Sequence, residues 1–385
     1  MRTIYDELGV RRVINAATTL TVVGGSLMPS QVLDAMREAA RSFVDMHELQ
    51  AAAGERIASL TRNEAAYVTS SCAAAMTLGT LAAITRGDPS AIARMPRGAG
   101  LPTDVVIHAV HRIPEDRGIE LAGGRIVEIG NADGTGEADL ESALTNETAL
   151  VVWVAGSHLP RGALDLETTV RVAHSRGVPV LVDAAAQLPP PSNLWRFTIE
   201  MGADAVAFSG GKGLRGPQAS GLLLGRRAFI EAVRANGSPY ARLARPMKVG
   251  KEEIAGLVRA VELYLALDHE AQAREWSAIV DGWVRDLGGL QGFRAERHET
   301  NEAGQPVPRI RISVDQARVG ISAEELRQRL WNRNPRILVL PDDVDAFFLT
   351  PDTLSATEAA SLPMQVRHAV SSDEGGSGSG APPLD

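Results

Sequence analysis

The sequence predicts an α/β protein with a large domain built on a mostly parallel sheet, followed by a smaller α+β domain. Short β-branched segments alternate with amphipathic helical segments over the first two thirds of the chain, a pattern typical of helices packed on a parallel sheet. A long helical pattern ends this alternation, and a second set of strand-like and helical segments follows it. The 385 residues, 44% of them hydrophobic, are sufficient for both domains.

The elements of the large domain can be located from composition and periodicity. Strand-like segments rich in β-branched residues lie at 65–69, 105–108, 125–129, 150–155, 178–183, 205–209 and 220–224. Helical segments between them lie at 30–43, 72–85, 137–144 and 166–176. Strands that alternate with helices in this way predict parallel connections through helices that cover the sheet.

The second domain begins after the longest helical pattern, 251–287, which we expect to connect the two domains. Strand-like segments at 308–314 and 336–340 then alternate with helical segments at 323–331 and 356–370. The predicted organisation is an N-terminal arm (1–20), the large domain (21–250), the connecting helix with the small domain (251–370) and a tail (371–385). The tail is rich in Gly, Ser and Pro without apolar periodicity, which predicts disorder or an artificial linker.

Composition narrows the classes of function. The 39 basic residues against 47 acidic ones give a net charge of -8, which disfavours nucleic acid and anionic membranes as partners. Cys72 is the one cysteine, so the chain can form no internal disulfide and no cysteine-based zinc site. Charged residues near the N-terminus disfavour a signal peptide. We therefore expect a cytoplasmic protein without a metal site or a membrane span.

Several familiar motifs are absent or incomplete. Residues 211–216 match Gly-x-Gly-x-x-Gly, yet Pro217 and a strand-like segment follow where a dinucleotide fingerprint requires a helix. The Gly-Lys pair at 211–212 lacks both the first glycine of a P-loop and its final Ser or Thr. The chain contains neither the His-Glu-x-x-His zinc motif nor a Gly-x-Ser-x-Gly elbow. These patterns give no support for nucleotide, zinc or serine-nucleophile chemistry.

Candidate catalytic or ligand-binding residues lie at the ends of three predicted strands. Asp183 ends a hydrophobic strand, and Lys212 lies in the glycine-rich turn after the strand 205–209. Ser70, Ser71 and Cys72 open a helix after the strand 65–69. Taken singly, each has an ordinary structural interpretation: a turn aspartate, a solvated lysine and serine helix caps.

Together these residues supply what pyridoxal phosphate requires. The cofactor needs N–H and hydroxyl donors for its phosphate, a carboxylate for its ring nitrogen and an amine to bond its aldehyde carbon. Asp183 precedes Lys212 by 29 residues, enough for one helix and one strand, so both could project from neighbouring strand ends. Ser209 could add a hydroxyl to the phosphate, and His111 is a candidate to stack on the pyridine ring.

At these residues the chain resembles the fold-type I pyridoxal-phosphate enzymes, and more narrowly their selenocysteine-synthase-like branch, which includes D-glucosaminate-6-phosphate ammonia-lyases. The resemblance runs from about residue 5 to residue 264 and is most specific at 11–29, 47–61, 178–197, 202–226 and 245–257. It implies the fold-type I transferase fold for the large domain. It also implies covalent attachment at Lys212, ring-nitrogen pairing by Asp183, stacking by His111 and phosphate contacts from Ser70, Ser71, Cys72 and Ser209.

The resemblance also implies a homodimer or a higher homo-oligomer. In such an assembly the neighbouring subunit helps to close the cleft, and the segment 216–218, with Gln218, would reach across to the cofactor. The expected partners are thus a small amino-acid substrate and further copies of this chain.

Departures from the family pattern concern the substrate side. Thr18 stands where such ammonia-lyases tend to have glycine, and Gln187 occupies a position that is often acidic, so both are candidates to contact substrate. Arg245, Lys248 and Lys251 either form a solvated helix start or bind a carboxylate or phosphate. The arginine for the substrate carboxylate stays open among four residues of the small domain: Arg309, Arg311, Arg333 and Arg336.

The resulting functional hypothesis is an ammonia-lyase that converts a β-hydroxy amino acid to a 2-keto acid and ammonia by α,β-elimination. Lys212 would remove the Cα proton while Asp183 keeps the ring nitrogen protonated. Racemisation or epimerisation and a retro-aldol cleavage are the nearest alternatives, because they can begin from the same cofactor-bound substrate. A seryl-tRNA selenium transferase is less favoured, since the chain is acidic and has no basic appended domain. A non-catalytic binding protein is also less favoured, because both Lys212 and Asp183 are retained.

Overall fold

The computed structural model describes residues 2–131, 133–157, 159, 161–371 and 384. The chain forms two compact units: a large unit, Ser26–Leu267, and a small unit made of Met1–Gly25 and Asp268–Asp385. The predicted tail, 371–385, lies outside the described residues except for Ser371 and Leu384.

The secondary structure agrees with the predicted alternation of strands and helices. In chain order the strands are β1 (Val13–Asn15), β2 (Ala65–Thr69), β3 (Asp104–His108), β4 (Arg125–Ile129), β5 (Thr148–Val154), β6 (Val180–Asp183), β7 (Ala205–Ser209), β8 (Gly221–Gly225), β9 (Phe293–His298), β10 (Arg309–Val314), β11 (Arg336–Leu338), β12 (Leu340–Pro341) and β13 (Ala346–Leu349). The helices are α1 (Ile4–Glu7), α2 (Ser30–Ala39), α3 (Met46–Thr61), α4 (Cys72–Thr85), α5 (Pro89–Arg94), α6 (Arg117–Leu121), α7 (Glu137–Ala143), α8 (Leu166–Ser175), α9 (Asn193–Trp195), α10 (Arg227–Asn236), α11 (Lys251–Ala266), α12 (His269–Gly288), α13 (Gln316–Val319), α14 (Ala323–Asn332) and α15 (Ala356–Ser371).

The large unit is organised around a seven-stranded sheet in the order β2-β8-β7-β6-β5-β3-β4. Strand β8 runs antiparallel to both β2 and β7, whereas the pairs from β7 through β4 are parallel. Hydrophobic clusters cover both faces of the sheet, which explains why its strands are continuous apolar runs. The prediction of a mostly parallel sheet is confirmed.

Helix α4 packs beneath the sheet and is buried at nearly every position. Its alanines and its one glycine permit this close approach: a Cβ on Gly79 would lie 2.6 Å from a methyl carbon of Leu181 in β6. The helix begins at the same edge of the sheet where β6 and β7 end. The small residues of the sequence thus bring a helix N-terminus close to those two strand ends.

The predicted single helix at 251–287 is wrong. The structure has two helices, α11 and α12, with a break at Leu267 and Asp268. The Asp268 side chain accepts a hydrogen bond from the N–H of Ala271 at 2.9 Å and so caps a new helix. Helix α11 packs on α2 and α3 within the large unit, whereas α12 belongs to the small unit.

The small unit contains an antiparallel sheet in the order β12-β13-β10-β9 and a parallel pair of β1 with β11. This pairing joins Val13 to Arg336. The N-terminal residues, predicted to form a separate arm, are therefore grouped with the C-terminal part of the chain. In the part of the chain that the structure describes, no helix is both long and apolar enough to cross a membrane.

A cluster of buried and partly buried polar side chains lies in the small unit. The hydroxyl of Thr18 donates to Glu302 Oε1 at 3.1 Å, and Arg309 lies 3.9 Å from the other oxygen of that carboxylate. Asp352 retains some exposed surface, yet its Oδ1 is fully covered. Burial and the nearby charge of Glu302 raise the pKa of Asp352 to about 7. The Asp352 carboxyl group therefore stays protonated up to a higher pH than an aspartate in water does.

The raised pKa of Asp352 predicts that the protein loses stability as pH rises, and that Asp352→Asn removes this loss. Between the ordinary pKa of 3.8 and about 7, the folded chain binds more protons at this site than the unfolded chain, so its free energy of unfolding falls as pH rises. We expect the variant to lose up to about 4 kcal/mol less of its free energy of unfolding across this window than the parent. Urea unfolding at both ends of the window measures the difference. Glu270→Gln, at a side chain 92% exposed, is the control, and equal losses in all three proteins would contradict the prediction.

Candidate active site

Asp183 lies at the carboxyl end of β6, in the centre of the sheet. It is 8% exposed, and its Oδ1 accepts hydrogen bonds from the Ala185 N–H at 3.0 Å and from the Cys72 thiol at 3.5 Å. Burial raises the pKa of the Asp183 carboxyl, and the two hydrogen bonds and the positive charge of Lys212 partly offset this rise. A nearby cationic group would therefore stabilise the ionised form of this buried carboxyl.

Lys212 lies in the turn after β7, the strand next to β6. The turn is fixed by hydrogen bonds from Gly210 N–H to the Ser220 carbonyl at 3.0 Å and from Gly216 N–H to the Gly210 carbonyl at 2.8 Å. Ser26 donates from both its N–H and its hydroxyl to the Gly211 carbonyl, each at 3.0 Å. Burial raises the pKa of both Asp183 and Cys72, and the positive charge of Lys212 partly offsets each rise. Because β6 and β7 are parallel neighbours, Asp183 and the turn that carries Lys212 lie at the same edge of the sheet.

Residues Ser70–Cys72 lead into the N-terminus of α4. We call them the anion loop, because a helix N-terminus favours the binding of an anion. Ser71 caps the helix by accepting a hydrogen bond from the Ala74 N–H at 3.0 Å, and Thr69 donates to the Ser71 carbonyl at 2.8 Å. The first N–H groups of the helix have no acceptor within it and carry the positive end of its dipole. Together with the serine hydroxyls they form a set of donors suited to a phosphate group.

Gly221 allows β8 to lie directly against the anion loop. A Cβ at this position would lie 2.3 Å from the carbonyl carbon of Ser71 and 2.4 Å from its oxygen. Both contacts are far too short, and both are with backbone that cannot rotate away. Any side chain here would displace the anion loop.

Gly221→Ala is therefore expected to lower both stability and anion affinity. We expect a loss of about 1–3 kcal/mol in the free energy of unfolding, as for overpacking at a buried site. We also expect weaker retention of phosphate and of pyridoxal phosphate. Thermal unfolding and equilibrium dialysis measure the two effects. Gly282→Ala, whose Cβ would meet no atom closer than 3.8 Å, is the control, and equal behaviour of the two variants would overturn this interpretation.

His111 is held rigidly beside the ends of β3 and β5. Its Nδ1 accepts a hydrogen bond from the Val154 N–H at 3.2 Å, which assigns the ring proton to Nε2. The ring is 4% exposed, and burial lowers its pKa to about 3, so it is neutral. His108 and Trp153 lie against it, with ring centroids 5.0 and 5.2 Å away. A rigid neutral ring suits the predicted stacking role, which stays a prediction.

Two further predicted contacts lie near the same sheet edge, and a third lies on the surface. Ser209 ends β7, is half-buried and donates its N–H to the Ala185 carbonyl at 3.3 Å. Gln187, four residues after Asp183, donates from Nε2 to the Ala155 carbonyl at 3.1 Å. Gln218 is exposed, as a residue that reaches toward a neighbouring subunit would be. Their contacts with cofactor or substrate stay predictions.

The arginines and lysines predicted to bind substrate differ in their exposure and in the side chains they contact. Arg245 and Lys248 are exposed on the large unit, whereas Lys251 is paired with Glu252. In the small unit Arg311 is paired with Asp342 at 2.5 Å and Asp343 at 3.1 Å. Arg309 and Arg336 lie over the rings of Phe348 and Trp331, while Arg333 follows the end of α14 and is half-buried. Thr18, also in the small unit, is bonded to Glu302 as described above.

Three features of the site were not found by sequence reasoning. The thiol of Cys72 contacts Asp183, the ring of Trp153 packs perpendicular to that of His111, and the charge of Glu115 contributes to the raised pKa of Asp183. Each partner is distant in sequence, and neither spacing nor motif links them. Only the packing of α4 and of the segment after β3 against the sheet brings them together.

The mostly parallel seven-stranded sheet with its antiparallel β8 is the large-domain sheet of a fold-type I pyridoxal-phosphate-dependent enzyme, the class to which the similar proteins below assign the chain. The family model for L-seryl-tRNA selenium transferase (SelA) matches residues 13–280. The chain belongs to this family, which confirms the predicted selenocysteine-synthase-like branch.

Two relatives that match over most of their length have different activities. The chain is 33% identical to D-glucosaminate-6-phosphate ammonia lyase of Salmonella typhimurium (strain 14028s / SGSC 2262), covering 94% of this chain and 97% of that protein. A solved structure of D-glucosaminate-6-phosphate ammonia-lyase matches with a TM-score of 0.84 at 31% identity, covering 96% of this chain and 98% of that one. The chain is also 34% identical to a 5'-C-glycyluridine monooxygenase-decarboxylase of Streptomyces sp, and the match covers 90% of this chain and 88% of that protein.

Proposed function

We propose that this protein is a pyridoxal-phosphate-dependent ammonia-lyase that acts on a β-hydroxy amino acid. The reaction removes the Cα proton and the β-hydroxyl group as water, and water is then added back as the C–N bond breaks. The net products are a 2-keto acid and ammonia. The observation that carries the proposal is that Asp183 ends β6 and Lys212 follows its parallel neighbour β7, at the sheet edge where the Cys72 thiol of the anion loop contacts Asp183.

The residues at this edge fit pyridoxal phosphate by the chemistry of their donors. The anion loop and the Ser209 hydroxyl would hold the phosphate, Asp183 the ring nitrogen and Lys212 the aldehyde carbon. His111 would contact one face of the ring. The tight fit of Gly221 against the Ser71 backbone fixes the position of the anion loop relative to β8. When bound, the cofactor supplies an electron sink that makes the Cα proton acidic.

The chemistry of the chain itself depends on two groups. Nζ of Lys212 accepts the Cα proton and delivers a proton to the departing β-hydroxyl group, since one amine can serve both steps. Both hydrogen bonds to Asp183 end on Oδ1, which leaves Oδ2 to hold the proton at the ring nitrogen. Gln187, whose side chain donates to the Ala155 carbonyl, would contact the substrate from the edge of β6, and the exposed cations Arg245 and Lys248 would bind a carboxylate or phosphate of the substrate.

The decisive experiment incubates the protein, loaded with pyridoxal phosphate, with D- and L-β-hydroxy amino acids, including compounds with a terminal phosphate. Equal amounts of ammonia and 2-keto acid, without oxygen uptake, are expected. Exchange of the Cα hydrogen without ammonia would instead identify a racemase or epimerase, and an aldehyde product an aldolase. Consumption of oxygen with release of carbon dioxide would identify an oxidative decarboxylase.

The proposal includes a homo-oligomer that acts in the cytoplasm. The large unit exposes apolar side chains between residues 27 and 44, among them Leu27 at 73% and the fully exposed Phe43. A single buried cysteine suits a reducing compartment. Light scattering during gel filtration is expected to give a multiple of the chain mass, and Phe43→Ser is expected to shift it toward one chain. A wild-type mass equal to one chain would contradict the assembly.

A further inference from the structure

We propose that Cys72 is a positioning residue for Asp183, which fixes the carboxylate by donating its S–H to Oδ1 so that Oδ2 remains available to the cofactor. This inference rests on the proposed pyridoxal-phosphate site. The family resemblance implies a phosphate contact for Cys72, which is the first residue of α4. The structure gives its side chain a separate partner at the opposite, ring-binding end of the site.

The geometry restricts Asp183 from two directions. The Cys72 thiol approaches Oδ1 from the first residue of α4 at 3.5 Å, and the Ala185 N–H approaches the same oxygen from the turn after β6 at 3.0 Å. Two donors from different elements limit both side-chain torsions of Asp183. Cys72 is 7% exposed and Asp183 8%, so water competes little for this hydrogen bond.

The chemistry of a buried thiol suits this role. Burial and the charge of Asp183 raise the pKa of Cys72 well above its ordinary value, so the group stays a protonated donor. A thiol also packs as a small apolar group and hence excludes water from the carboxylate. Cys72 thus connects the two ends of the site, since its backbone belongs to the anion loop and its side chain to Asp183.

Two substitutions separate positioning from packing. Cys72→Ser keeps a donor of similar shape, whereas Cys72→Ala keeps the helix start and removes the donor. If Cys72 positions Asp183, serine retains the function and alanine does not. If the residue only fills space, the two variants behave alike.

The first measurement needs no cofactor. Because Cys72 is the one thiol of the chain, its S–H stretching band in the infrared spectrum is assigned without ambiguity. We expect the band at the lower frequency of a hydrogen-bonded thiol, and we expect it to move to the frequency of an unbonded thiol in Asp183→Ala. A band at the unbonded position in the parent protein, unchanged in the variant, would overturn the inference.

The second measurement is the dissociation constant of pyridoxal phosphate, determined by absorption titration. Cys72→Ala is expected to weaken binding about three- to ten-fold, the range for loss of one hydrogen bond, and Cys72→Ser is expected to stay within about two-fold of the parent. Equal losses, or no loss in either variant, would overturn the positioning role. If the parent protein itself binds no pyridoxal phosphate, the proposed function fails, and the infrared result still decides whether the thiol is bonded to Asp183.

Discussion

Replacement of Lys212 by alanine should abolish covalent attachment of pyridoxal phosphate and reduce ammonia release by about 10⁴-fold. The amine is proposed both to bond the aldehyde carbon and to move the Cα proton, so one substitution removes two functions. Borohydride treatment followed by peptide mass analysis tests the attachment, and an ammonia assay tests the rate.

The scarcity of lysine makes this experiment unusually clear. The chain has three lysines, Lys212, Lys248 and Lys251, so a reduced adduct can be located among few candidates. Lys248→Ala and Lys251→Ala are expected to retain the adduct. An adduct on either of those residues in the parent protein, or full activity in Lys212→Ala, would refute the assignment.

Asp183→Asn is expected to have opposite effects on activity and stability. The amide keeps an acceptor for Cys72 and Ala185 but carries no negative charge, so it cannot hold a proton at the ring nitrogen. We expect a loss of turnover of about 10³-fold, comparable to removal of one strong electrostatic contact in an active site. The rate of ammonia release under saturating cofactor measures this effect.

Without cofactor the same variant should be more stable than the parent near neutral pH. Burial raises the pKa of Asp183, so the folded chain binds more protons than the unfolded chain above pH 3.8, and the ionised carboxylate opposes folding as pH rises. Thermal unfolding of the unloaded proteins at neutral pH tests this sign. A variant that is inactive and also less stable would indicate a structural role for Asp183 in place of the electrostatic one.

Much of the large unit could be predicted because its signals are local. The predicted bounds of β2, α4 and β7 coincide with those of the structure, since each is an apolar run limited by a turn or a cap. The break before α12 was missed because apolar spacing continues through Leu267, and only the side chain of Asp268 decides it. The direction of β8 was not predicted either, because strand composition carries no direction.

The site divides in the same way. Asp183 ends one strand and Lys212 follows the next, and neighbouring parallel strands end at one sheet edge, so their proximity could be expected from sequence. The bond between Cys72 and Asp183 spans 111 residues and depends on how deeply α4 packs under β6. The pairing of β1 with β11, which groups the first residues with the small unit, is equally invisible to local patterns.

The fixed turn around Lys212 and the tight contact of Gly221 with the anion loop have a consequence for ligand uptake. The groups proposed to hold the cofactor are ordered by one another and by the sheet before any ligand arrives. The loss of conformational entropy at this edge thus occurs during folding, not during association. Binding then costs the freedom of the cofactor and little of the freedom of the protein, and an empty site of this kind retains its shape between successive ligands.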